Sequence, residues 1–388
     1  MTAVAWSSNF GAYRDSPSPV EVYAFLAKYK ARRHAEPPPS LPLPVSIELI
    51  CFHKKIIRYF AKHFASSLLA VHPLSRDSAL CYVPPSSTET RRIHRALYRF
   101  ELYYRLFAGS RWEAAEWLGF PAPTINFLSL YPPWEVEELH CVHDFLYRRF
   151  LVAYIDVAQH DVRMGNFGMH SGPLKAEQLG TFDHQIEHCL SLGLTYVHEA
   201  MTSPGLEDRI ELNPAGLSYK YFPGVVLRYY KTLRMTSHAE GNQTANFLGG
   251  SLSNRPNEAW VWWKRLLYPD TCDSQDSLVE LRKWGYCMWD SDRLRDWEVL
   301  REEYDVAYFE KKFCENSAEL GRKWTEAMWT EACRAQVWLK GGSGYWTADE
   351  SRIVWSGEPR EDSRSDTVVH EGRNMDLVFA FHGGDLDF

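Results

Sequence analysis

One segment, YPPWEVEELHCVHDFLYRRFLVAYIDVAQHDVRMG at residues 131–165, constrains the fold more than any other. Pro133 suits a first helical position, and Glu135, Glu137 and Glu138 suit the positive end of a helix dipole. Val136, Leu139, Val142, Leu146, Phe150, Ala153 and Val157 recur at helical spacing and predict a buried stripe. The first breaker is Gly165, so the spacing predicts one helix up to that glycine. At about 1.5 Å per residue such a helix is roughly 45 Å long, enough to serve as a spine along which other helices pack.

Shorter helices surround it in the sequence. ETRRIHRALYRFELYYRLFAG (89–109) carries Ile93, Leu97, Phe100, Tyr104 and Phe107 on one stripe, with Phe100 at its centre. Ser86 and Glu89 have capping-box spacing in front of it, and Gly109 closes it. Ile47, Ile50, Lys54, Ile57, Phe60, Phe64 and Leu68 predict another helix with one apolar stripe, apart from Lys54. Further helices are predicted over 20–33, 182–191, 195–201 and from Glu258, with Asn257 as cap. Phe309, Phe313, Leu320, Trp324, Met328, Ala335 and Leu339 predict a late helix stopping at Gly341-Gly342. GYWTADESRIVWSG then reads as a hairpin. The expected fold is mainly α: an irregular multi-helix bundle with a long central helix and a small β-hairpin and extended C-terminal tail. Four consecutive segments are expected: an arm and Pro-rich linker (1–44), a helical subdomain (45–165), a second helical subdomain (166–342) and a tail (343–388).

Composition narrows the class. A 388-residue chain with 45% hydrophobic residues can bury a sizeable core, and its 15 Trp, within 14% aromatics, either fill wide spaces between helices, the preferred reading, or mark binding surfaces. A formal net charge of −7 gives no global attraction to phosphate backbones or anionic membranes. The eight cysteines are scattered without a C-x-x-C pair, and read as reduced thiols. MTAVAWSSNFGAYRDSPSPV lacks a basic and then apolar leader, and no apolar run approaches the roughly 20 residues of a membrane span. The expected location is intracellular, cytoplasmic or nuclear, with no membrane partner.

RRIHRALYRFELYYRLF, YPPWEVEELHCVHDFL and LRKWGYCMWDSDRLRDW together resemble a large group of proteins of filamentous ascomycete fungi, some of which carry an F-box-like N-terminal segment. The likeness covers roughly residues 47–340. It implies a helical fold and a lineage, and brings no catalytic residues with it. SLPLPVSIELICFH (40–53) opens with the Leu-Pro pair of such a segment, but has Pro44 where an F-box has its first acidic residue.

Candidate chemistry is sparse. His184-x-x-Glu187-His188 has the order of inverted zinc proteases, in which two histidines one helical turn apart share the metal and the glutamate serves a bound water. A third ligand is not evident, and helix histidines are the preferred reading. Glu137-x-x-His140, with His143, Asp144, Asp156 and His160 on the same helix, has the spacing of di-iron bundles, which need that motif twice. Asp156 and His160 are spaced for an i,i+4 hydrogen bond instead. No nucleophile elbow, phosphate loop or dinucleotide fingerprint is present. Catalytic residues, cofactors and metals are therefore read as none.

The arginines of 89–109 permit three readings: structural pairing with acids such as Glu135, Glu137 and Glu138, a nucleic-acid patch, or a protein-docking surface. Structural pairing is preferred. The tail supplies apolar residues abruptly after a charged stretch, which makes Leu377, Phe379, Phe381 and Phe388 candidates for docking onto a partner or onto the chain itself. The function expected is that of a non-enzymatic adaptor or scaffold binding other proteins. The alternatives are a substrate-receptor subunit of an SCF-type ubiquitin ligase and a metal-dependent hydrolase.

Overall fold

The computed structural model describes residues 4, 18–32, 41–70, 72–73, 83–107, 127–167, 180–203, 257–266, 281–300, 322–323, 325–327, 329–356 and 358–360. Of these, 74% are helical and the described strands form one two-stranded sheet, so the fold is mainly α, as the periodicities predict. The chain divides into two compact units, Met1–Ala158 with Gly172–Glu326 and Gln159–Ser171 with Ala327–Phe388. The division is discontinuous along the chain.

The larger unit begins with α1 (Pro19–Arg32) and a rod made of α2 (Leu43–Phe52), a π-turn (His53–Ile57) and α3 (Arg58–Leu68). α4 (Ser87–Phe107) packs on the rod. α5 (Pro133–His160) is the predicted long helix, followed by α6 (Gly180–Ser191), α7 (Leu194–Thr202) and α8 (Glu258–Leu266). A 3-10 turn (Tyr286–Met288) and α9 (Ser291–Asp296) complete it. All five stripe residues of α4 are buried, and Phe100 is fully excluded from solvent. Many of the described aromatic rings are core material. Phe64 meets Phe145 at 5.1 Å between ring centroids, and Tyr103, Phe107, Phe127 and Tyr131 form a continuous chain of rings.

The capping box forms as predicted. Glu89 N–H donates to Ser86 Oγ at 3.1 Å, and Ser86 N–H to Glu89 Oε2 at 2.8 Å. Asn257 caps α8 through its Oδ1, 2.8 Å from Ala259 N.

In the smaller unit, a 3-10 turn (Val162–Phe167) packs on α10 (Glu331–Leu339), and β1 (Gly342–Gly344) pairs antiparallel with β2 (Ile353–Trp355). The predicted hairpin therefore exists. α5 stops at His160, five residues before the expected breaker, because other groups claim its last backbone atoms. Trp346 N–H donates to the His160 carbonyl at 2.6 Å, Asp161 bridges Tyr345, and the Asp161 carboxylate accepts from Arg163 N–H at 2.9 Å. His160 Nδ1 lies 3.1 Å from the Trp346 carbonyl, while the side chain of Asp156 lies outside the described part. Gly165 has a different role from ending a helix: any Cβ there would collide with the backbone of Arg334 and Ala335. Gly341, at φ +89°, ends α10 as predicted. Residues beyond the hairpin fold back on α10, with Arg360 N–H on the Leu339 carbonyl at 2.9 Å and its guanidinium 3.7 Å from the Trp338 ring centre. Leu377, Phe379, Phe381 and Phe388 lie outside the described residues, as do the predicted helical positions 309–320.

Candidate functional site

Two regions gather the side chains that can bind or react: a buried polar ladder on the first half of α5, and the outward side of the rod. The ladder climbs α5 turn by turn, each turn engaging a different neighbour. At the first turn Arg95 grips Glu135 at 2.8 Å and Glu138 at 2.7 Å, and Arg99 grips Glu135 at 2.5 Å. Arg92, Arg95, Arg99 and Arg105 of α4 are thus ion-paired, as the structural reading expects. Burial, with Glu135 alongside, holds Glu138 above the usual carboxylate range even beneath the Arg95 fork.

One step further, Arg282 clamps Glu137 with its Nε and, at 2.6 Å, with Nη2. Burial alone would raise this carboxyl, but the guanidinium outweighs it and brings Glu137 down to about 2. Arg282 Nη2 also lies 2.8 Å from His140 Nδ1. An arginine can only donate, so Nδ1 is the acceptor and His140 carries its proton on Nε2. Burial, reinforced by Arg282, lowers His140 to about 4. Beside this clamp Cys141 Sγ and Cys287 Sγ lie 3.5 Å apart, both free thiols with pKa values raised chiefly by burial.

The third turn carries the residues that most resemble a reactive centre. His143 Nε2 is 3.0 Å from Glu187 Oε2 and its Nδ1 is 3.2 Å from Asp144, while Tyr104 OH donates to Glu187 at 3.3 Å. Burial alone would lower His143, but the Glu187 and Asp144 carboxylates raise it to about 9, so it is an imidazolium at neutral pH. Tyr104, His143 and Glu187 are all buried.

The structure therefore places the members of the His184-x-x-Glu187-His188 motif unequally. Glu187 faces the core and bonds His143, and His188 is buried and lowered to about 4 by burial. The side chain of His184 lies outside the described part. Among the described residues no three His, Cys, Asp or Glu side chains are grouped as a metal would require.

The rod is the second region. Its π-turn is fixed by the Arg58 N–H, which donates to the His53 carbonyl five residues back. His53 packs against α4, its ring stacked on Tyr98 and its Nδ1 3.0 Å from Tyr98 OH. Ile57, Phe60 and Phe64 face the core on the C-terminal side. Continued at 3.6 residues per turn, that face would run back through Ile50 and Ile47. The π-turn uses one extra residue and rotates everything before it. Leu49 is buried at 8% exposure in place of Ile50, while Ile50 and Ile47 stand at 52% and Leu43 at 73%. This corrects the single stripe predicted from Ile47 to Leu68.

The same rod carries Lys54, Lys55, Arg58 and Lys62 on its exposed side, where it borders a cleft of about 720 Å³ against α4. The sequence reading did not single out these cations. Its one clue was Lys54, a charge sitting inside an otherwise apolar spacing. Arg282 was missed as well, since nothing local in LRKWGYC distinguishes a buried arginine from a surface one.

Compared with protein-family models, with curated proteins and with solved structures, the chain finds no match. Among the described residues no helix is long and apolar enough to cross a membrane.

Proposed function

We propose that this protein is a non-enzymatic intracellular adaptor or scaffold that holds a partner protein on the outward apolar face of the rod, Leu43, Ile47 and Ile50. The observation that carries this reading is the π-turn, which presents three large aliphatic side chains to solvent where an unbroken α-helix would bury them. π-turns of this kind are enriched at functional sites. An aliphatic row at i, i+4 and i+7 suits an amphipathic partner helix laid alongside it. The polar ladder supports the reading from the other side, because Glu135, Glu137, Glu138, His140 and His143 are buried and the glutamates are engaged by Arg95, Arg99 and Arg282. The lineage proposed with it is the filamentous-fungal group that residues 47–340 resemble.

The test is affinity capture from a filamentous-fungal extract with the parent chain and with Ile47→Asp/Ile50→Asp, each first shown to melt at the same temperature. The adaptor reading predicts a defined protein retained by the parent and lost from the variant. Identical retained sets would refute it. Retention of a Skp1-like adaptor in the parent set would favour the ubiquitin-ligase receptor over a simple adaptor.

A further inference from the structure

Positive charge is distributed unevenly over this acidic chain. Arg92, Arg95, Arg99, Arg105, Arg282 and Arg293 each meet a carboxylate. Among the described residues no carboxylate meets Lys54, Lys55, Arg58 or Lys62 on the rod, or Arg91 on α4. The four rod cations border the cleft between the rod and the start of α4, and its volume of about 720 Å³ falls within the range of small-molecule sites.

The floor of the cleft is aliphatic. Ala61 and Ala65, one turn apart on α3, face Ile93 of α4, with Leu69 closing the end, and all four are buried. The two alanines are the reason a space exists, since larger side chains there would fill it. Opposite the cations, Val83-Pro84-Pro85 leads into α4 and forms the far wall with Thr90 and His94. The local field is positive, set by Lys54, Lys55, Arg58 and Lys62 along the cleft. A second hollow of about 510 Å³ begins across Thr90 and His94 and is lined by Arg91, which extends that field.

We propose that this cleft binds an amphiphilic organic anion, with a phosphate or carboxylate head held by Arg58, Lys62 and Lys54 and an aliphatic body laid on Ala61, Ala65 and Ile93. A bare inorganic anion would make no use of the aliphatic floor, and a neutral apolar molecule would have no use for the cations. A nucleobase would need an aromatic face. The rings at the cleft are already engaged, Tyr59 by His63 at 4.3 Å and His198 at 4.6 Å, and His94 by His53 at 5.1 Å. An alkyl body fits what remains. This ligand site is separate from the partner-binding face and does not depend on it.

Calorimetric titration of the full chain tests the assignment. The probes are dodecyl phosphate and dodecanoate, both below micelle formation, and their ratio distinguishes a phosphate from a carboxylate head. Saturable one-to-one binding of at least one is expected. Arg58→Glu/Lys62→Glu should weaken it by at least ~10-fold, the equivalent of one lost charge-assisted contact. Thr90→Trp, which fills the mouth but keeps every cation, should abolish it. Both variants alter surface or half-buried positions, and circular dichroism checks that they fold. Absence of saturable binding overturns the proposal, as does equal binding of dodecyltrimethylammonium or of inorganic phosphate. Binding confined to vesicles of phosphatidylcholine with phosphatidic acid also overturns it, because that result belongs to a membrane surface and not to a cleft.

Discussion

α4 and the rod are neighbours with similar sequence patterns and opposite outcomes. In α4 every apolar position predicted at intervals of three or four is buried, from Ile93 to Phe107. In the rod the same kind of spacing is honoured from Ile57 to Leu68 and broken before it, where Ile47 and Ile50 point outward. The difference is the π-turn His53–Ile57, closed by the Arg58 N–H reaching back five residues to the His53 carbonyl. A hydrophobic period reports a buried face only while the pitch is constant. Once one residue is inserted, the face before it turns by about a quarter to a third of a revolution, and apolar residues that look like core become surface.

Changes on the buried side should have the largest effects. Phe100→Ala, at the centre of the α4 stripe, should lower unfolding stability in urea by about 3–5 kcal/mol. Arg282→Ala should cost a similar ~3–5 kcal/mol, because it leaves Glu137 buried and unpaired. If either variant unfolds at the same urea concentration as the parent, the α4–α5 region is not the rigid reference that the comparison requires.

Stability against pH sharpens the comparison next, through Glu137, His140 and His143 on the ladder and His188 on α6. Glu137, at about 2 folded against 4.5, contributes stability above pH 4.5 that is lost as pH falls toward 2. His140 and His188, at about 4 against 6.5, stay neutral in the fold, so the unfolded chain takes up their protons first and stability also falls from pH 6.5 toward 4. His143 has the opposite sign. Raised to about 9, it contributes fully below pH 6.5 and loses that contribution as pH rises through 9. Urea unfolding measured across pH should therefore peak close to pH 6.5. His143→Gln should flatten the alkaline arm while sparing the acid one; an unchanged alkaline arm would show that His143 is not the group responsible.

How much of this was readable beforehand follows from the same physics. Residues that act through local spacing were legible: the Ser86–Glu89 capping box, the α4 stripe, the Asn257 cap, the glycine at 341 and the hairpin after it. The pairing of α4 arginines with Glu135 and Glu138 was legible as a class, because Arg on the flank of an aromatic helix needs a carboxylate when its neighbour packs down. Contacts made at long range were not. Arg282 reaches Glu137 across 145 residues, and Glu187 reaches His143 from a helix whose motif suggested a metal. The early stop of α5 was hidden for the same reason, being imposed by Trp346 and Tyr345 far along the chain. Lys54 was the exception that could have been used: a charge at an interior position is the sequence mark of a register change.

The smallest expected effect bears most directly on the central claim that the π-turn sets which residues of α2 face inward. Urea unfolding of Leu49→Ala and Ile50→Ala, made separately, compares adjacent positions with nearly equal side-chain volume. Leu49 is buried, so its truncation should cost about 2 kcal/mol, while Ile50, half exposed, should stay within about 0.5 kcal/mol of the parent. A larger loss for Ile50→Ala than for Leu49→Ala would mean that the helix runs unbroken through His53, and that the outward apolar face does not exist.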